Sequence, residues 1–187
     1  MNFAEKIQAE EERAKSEGYY TPSSSDYFNL EEGDNTFRIL AMPEQVFERY
    51  LPSAKKYEIC YTDCGYQGTP KFRVWVLDRK DNLIKIAKLP YTIGTLIAKY
   101  QTDEDYAFED FPMPYDIKVN AKNAGTKEVE YTVTPRPQRT DVEASIMEEF
   151  AEKTPMAEIV AKMKDKQKEQ HVKDGVYQEV SDEKKSQ

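Results

Sequence analysis

KFRVWVLDRKDNLIKIAKLP, residues 71 to 90, reads as two strands joined by a tight turn. Phe72, Val74 and Val76 alternate onto one face and send Lys71, Arg73, Trp75, Leu77 and Arg79 to the other. Asp81 and Asn82 supply the turn, and Leu83 to Lys88 returns with Ile84 and Ile86 inward and Lys85 outward. A Trp flanked by Arg at i−2 and i+4 on one strand face is hard to place in a core, because burying an unpaired guanidinium is costly. The pattern predicts that Trp75 is a stacking platform, the alternative being that it plugs one end of a barrel.

Upstream, FNLEEGDNTFRIL (residues 28 to 40) carries a turn at Glu32 to Asn35 and then a strand from Thr36 to Ala41, with Phe37 and Ile39 on one face. A second extended piece covers Gln45 to Leu51. Downstream, Pro90 opens an amphipathic helix from Tyr91 to Asp103 whose Ile93, Leu96, Ile97 and Tyr100 recur at helical spacing. Two more alternating strands follow, one with Tyr115, Ile117 and Val119 inward, the other with Val129, Tyr131 and Val133, and Pro135 and Pro137 end the second. The order is three strands, one helix, two strands. It predicts a mainly β chain with flanking helices, built on a five-stranded Greek-key OB-fold barrel with its helix between strands 3 and 4, whose curved face suits oligonucleotides.

Residues 2 to 17 form a short polar helix pattern, and the Gly-, Pro- and Ser-rich linker at 18 to 26 reads as a joint whose Tyr19 and Tyr20 either anchor on the barrel or stack at the surface. From Thr140 the pattern turns helical again. Val142, Ile146, Met147 and Phe150 form one stripe, Met156, Ile159, Val160 and Met163 another after the Thr154–Pro155 start, and beyond Lys164 the chain is polar enough to be disordered near its end. The expected organisation is an N-terminal helix and linker (1–26), an OB-fold single-strand-binding domain (27–139) and a C-terminal helical region with a polar tail (140–187).

The 187 residues carry a net charge of −8, which by itself argues against a nucleic-acid partner. The average conceals a pattern. Residues 35 to 102 hold 11 basic and 6 acidic side chains and residues 117 to 140 hold 5 and 2, whereas residues 103 to 116 contribute 6 acidic side chains and no basic ones. The predicted strands are basic and the ends acidic. Lys55, Lys56, Tyr57, Tyr61 and Tyr66 crowd a short hairpin, and cations interleaved with rings are what a sequence-tolerant single-strand binder needs; an ordinary hairpin with half-buried tyrosines is the plainer reading of the same residues. Together with Arg38, Lys71, Arg73, Trp75, Arg79, Lys85, Lys118 and Arg136 they form the expected DNA-binding set. The acidic tail at 141 to 158 is expected to compete with DNA for that face, so that truncation after Thr140 raises affinity at low salt.

No nucleotide-binding glycine loop, zinc-protease or nucleophile-elbow motif occurs, and the single His171 lies in the polar tail, so no catalytic constellation is expected. Two cysteines without a signal peptide predict reduced thiols in a cytosol, and no apolar run is long enough for a membrane helix. Cys60 and Cys64 could donate two thiolates to zinc, but no second Cys or His pair completes a four-ligand site.

FNLEEGDNTFRIL, FRVWVLDRKDNLIKIAKLP, the helix after it, PYDIKVNAKN and YTVTPRP together resemble the single-stranded DNA-binding proteins of tailed bacteriophages. The resemblance covers roughly residues 27 to 137 and implies an OB fold that coats single-stranded DNA in phage replication or recombination. It also implies the cytoplasm of a bacterial host, self-association on DNA, and recruitment of replication or recombination proteins through the C-terminal region. Many members carry further Cys or His residues in the hairpin for a metal knuckle; this chain has only Cys60 and Cys64. From another class, an OB module that binds a polypeptide fits the same pattern.

Overall fold

The computed structural model describes residues 26–61, 64 and 68–175. The expected N-terminal helix, Tyr19 and Tyr20, Tyr66 and the last twelve residues lie outside them.

Among the described residues eight strands form one sheet. They are β1 (Tyr27–Phe28), β2 (Gly33–Ile39), β3 (Glu44–Leu51), β4 (Lys56–Ile59), β5 (Thr69–Asp78), β6 (Leu83–Pro90), β7 (Ile117–Lys122) and β8 (Glu130–Pro135). Three helices accompany them among the described residues: α1 (Tyr91–Tyr100), α2 (Ala144–Ala151) and α3 (Met156–Lys173). The main path runs β1-β6-β5-β2-β7-β8, with β3 paired to β5 and β4 to β3. All pairs are antiparallel except β1 with β6, so the sheet is mixed.

β5 and β6 are the strands of the stretch quoted above, in register from Lys71 opposite Pro90 to Asp78 opposite Leu83. Asn82, at φ 59°, makes the turn between them, a conformation Asn tolerates better than most side chains. The other edge of β5 is shared: β2 pairs with Val76 to Asp78, and β3 with Thr69 to Arg73. Between β2 and β3 the chain leaves the ladder at Leu40 to Pro43, where Met42 is exposed and Pro43 has no N–H to donate.

The sheet does not close into a barrel. Among the described residues β8 pairs only with β7, and β6 pairs with β5 and β1, so no ladder there joins β6 to β8. The structure therefore has the expected β-rich core and flanking helices, as an open mixed sheet.

Strand alternation produces two apolar faces, and both are covered. On the first, Phe37, Ile39, Val74, Val76, Ala87 and Leu89 pack under Ile93 and Ile97 of α1. Gly94 lets the helix approach: a Cβ there would fall 2.2 Å from the Phe72 ring. The acidic loop after α1 is half core, since Phe108, Met113 and Tyr115 are buried in the same cluster while Asp103, Glu104 and Asp105 stay exposed. On the second face, Leu40, Val46, Ile59, Trp75, Leu77, Ile84 and Ile86 pack under Met156, Ile159 and Val160 of α3, with Ile146 and Phe150 of α2 against their edge.

Two expectations change here. Ile84 and Ile86 are buried, but on the Trp75 face, opposite Leu77 and Trp75 in register, rather than with Val74 and Val76. The second C-terminal helix also continues past Lys164 to Lys173. His171, read from sequence as part of a polar tail, is 3% exposed and anchors that extension.

Candidate nucleic-acid interface

Trp75 is 2% exposed. Its indole N–H donates to the Thr154 carbonyl at 3.0 Å, and Phe150 meets it edge-on. It is a core residue beneath the C-terminal helices, not a surface platform. The flanking arginines are tolerated because neither is unpaired: Arg73 is bound to Glu48, and Arg79 to Asp116 at 3.1 Å.

Several other expected contacts are structural as well. Arg38 is 1% exposed and donates to Asp116 Oδ1 at 2.6 Å, to the Met113 carbonyl at 3.1 Å and to the Thr140 carbonyl and hydroxyl. It pins three distant segments together. Lys85 sits between Asp78 and Asp81; burial pulls its ammonium down, but those two hydrogen bonds outweigh this and hold it above the usual lysine range. Tyr61 is buried, with its hydroxyl 2.8 Å from His171 Nδ1, while His171 Nε2 lies 3.0 Å from Glu58 Oε1. His171 thus bridges Tyr61 and Glu58 through its two ring nitrogens. Glu58 also accepts from Arg49. Burial pushes the Glu58 carboxyl up, but the hydrogen bonds from His171 and Arg49 prevail and leave it below the usual carboxylate range.

Cys60 and Cys64 are joined as a disulfide, with Cα atoms 5.9 Å apart, a normal spacing for the bond. The expectation of reduced thiols is corrected, and no thiolate pair is present for zinc. Among the described residues no group of three or more His, Cys, Asp or Glu could hold a metal ion.

The remaining expected residues divide by position. Lys118 lies on β7 within 3.7 Å of Asp34, and Arg136 follows the end of β8 and is exposed. Lys55 occupies the β3–β4 turn at φ 49°. Lys56 and Tyr57 of β4 and Arg73 of β5 lie where α3 passes beside the second sheet face, and Lys71 shares the Arg73 side of β5 by strand alternation. Tyr57 is 57% exposed, pairs across the hairpin with Tyr50 at 5.1 Å between rings, and carries the Lys88 ammonium 4.4 Å over its ring. Glu48, 2% exposed, lies beneath, held by Arg73 through one oxygen and by Lys88 at 3.3 Å through the other.

Here the sheet and α3 part to leave a cleft of about 350 Å³. The strands contribute Lys56, Tyr57 and Arg73 to its lining, and α3 contributes Lys162 and Lys166. Tyr27 lines it too; burial raises its hydroxyl above the usual range despite the opposing pull of Arg73. Sequence reasoning found the strand side but missed Lys88, Lys162 and Lys166. A Lys-rich run such as KMKDKQK at 162 to 168 reads as a solvated helix face unless the docking of that helix is known.

No protein-family model, curated protein or solved structure matches the chain.

Proposed function

We propose that this protein is a non-catalytic single-stranded DNA-binding protein whose interface is the end of the second sheet face beside α3. The carrying observation is the gathering there of Lys56, Lys71 and Lys88 with Tyr50 and Tyr57, drawn from four strands. Cations spaced along a strand track phosphates while tyrosine rings accept bases without regard to identity.

The strand order supports reading the sheet as an opened form of the OB arrangement. β2 and β3 together run along β5, β6 follows, α1 intervenes, and β7 returns to β2 before β8. This keeps the resemblance to phage single-strand binders as the preferred setting, with replication or recombination in a bacterial host as its context. None of the helices among the described residues is long and apolar enough to cross a membrane. A second reading, capture of a polypeptide, is favoured by the outer edge of β8, which pairs with no strand beyond β7 among the described residues and could receive an added strand.

Tyr57→Ala tests the first reading. The ring is exposed and outside both cores, so melting should be unchanged while affinity for oligo-dT falls by about 1–3 kcal/mol. Unaltered affinity would remove Tyr57 from the interface and leave the basic residues without their stacking partner.

A further inference from the structure

The cleft has a wall that the strand face does not explain. α3 is an amphipathic helix whose Ile159, Val160 and Met156 are buried against the sheet. One turn apart on the same helix, Lys162 and Lys166 line the cleft and face the strand-borne Lys56 and Tyr57. Like charges at i and i+4 on a helix repel modestly, and an anion seated between them removes that repulsion.

Around the cleft, cations exceed carboxylates. Glu48 is neutralised by Arg73 and Lys88. Glu58 is held by Arg49 and His171, with Lys56 4.0 Å away, and Glu158 lies 3.3 Å from Lys162. Lys166 has no ion pair among the described residues. Between the cations Ile59, Ile159 and Met163 give an apolar lining beside the Tyr57 ring, with Gln167 and Gln170 of α3 adding amides. A volume of about 350 Å³ falls in the range of small-ligand sites. A flat, weakly polar ring bearing an anionic substituent matches this combination, and one nucleotide has that form.

We propose that the cleft takes one unstacked nucleotide of a bound single strand, its base against Tyr57 and Met163 and its phosphate between Lys162 and Lys166. The inference rests on the single-strand reading above and adds α3 to the interface as a second wall. A cleft also focuses the field of its lining cations, so a phosphate there gains more than at an open surface.

The test uses the full-length protein and its Lys162→Gln/Lys166→Gln variant, both lysines being exposed and outside the cores. Short oligo-dT is titrated by anisotropy at several salt concentrations, and thymidine monophosphate alone is followed by amide shifts. The variant should melt as the parent does, bind oligo-dT roughly tenfold more weakly at low salt, and show a log-log salt slope shallower by about 0.7 to 1, the share of the one lost phosphate contact. The mononucleotide should shift amides at 56–59 and 159–167 in the parent and not in the variant. Parental affinity and slope in the variant would overturn the pocket while leaving the strand-face reading standing. Absence of oligo-dT binding by the parent would overturn both. Shifts produced by an acidic peptide but not by the mononucleotide would reassign the cleft to a polypeptide.

Discussion

Arg38 and Lys56 carry the same charge and were expected to do the same work, yet one is 1% exposed and the other lies on an open hairpin. What separates them is a partner far along the chain. Arg38 meets Asp116 and Thr140, separated from it by 78 and 102 positions, and no local pattern announces either. Arg38→Ala should therefore cost about 1–3 kcal/mol of stability, chiefly from the Met113 and Thr140 carbonyls left without their donor, since Asp116 keeps Arg79, while the folded fraction binds oligo-dT as before. Trp75→Ala should behave alike, with a loss of about 3–5 kcal/mol typical of a large aromatic truncated in a core. Thermal melts alongside titrations of the native fraction check both; normal melting with lost binding would return Trp75 to the surface. Because Trp75 lies under α2 and α3, its fluorescence reports the docking of those helices rather than base stacking.

Glu58 gives a residue-scale dependence on pH. Its carboxyl is held below the usual range in the folded protein by His171 and Arg49, against the opposing effect of burial. Its unfolded value is about 4.3. A depressed folded value means the stabilisation is present above the unfolded value and is lost as pH falls through the folded one. Melting temperature should accordingly drop more steeply from pH 5 toward pH 3 in the parent than in Glu58→Gln. Parallel acid limbs would show that the His171 and Arg49 contacts contribute nothing net.

At the scale of elements, α3 is where sequence and structure diverge most. Its first half was legible, because Met156, Ile159, Val160 and Met163 repeat at helical spacing. Its second half was not: from Lys164 to Lys173 the anchoring group is one histidine, whose Tyr61 and Glu58 partners are more than a hundred positions away. At this scale α2 and α3 also have a structural part that the acidic-arm expectation did not weigh. α2 and α3 cover Trp75, Leu77, Ile84 and Ile86, and burying Met156, Ile159 and Val160 alone is worth about 5–9 kcal/mol by transfer. That is comparable to the whole stability of a small domain. Truncation after Thr140 should produce a protein that melts without cooperativity and binds a hydrophobic dye, rather than a tighter DNA binder. A cooperative melt near that of the full chain would contradict this.

Over the whole molecule, alternation in residues 71 to 90 correctly divided the β5 side chains between two faces, and the Asp81–Asn82 turn fell where expected. It could not say what covers the second face. A strand reading Arg, Trp, Leu, Arg looks solvent-facing until Glu48 and Asp116 are found beside the arginines and a helical pair is found over the Trp and Leu. The same internal pairing thins the basic surface. Arg38, Arg79 and Lys85 are occupied by carboxylates, so on the proposed reading the phosphate contacts fall to Lys56, Lys71, Lys88 and Lys166, with Lys162 shared with the exposed Glu158. The expected basic patch is thus smaller than the count in residues 35 to 102 implied, and it straddles the sheet and α3.

The most direct measurement is a titration of fluorescein-labelled oligo-dT, and of a duplex of the same length, into the full-length protein at a series of salt concentrations. With about four phosphates neutralised, the single strand should bind more tightly than the duplex, with a log-log salt slope near −3 despite the net charge of −8. A slope near zero, or no preference for the single strand, would contradict the assignment of this surface to single-stranded DNA.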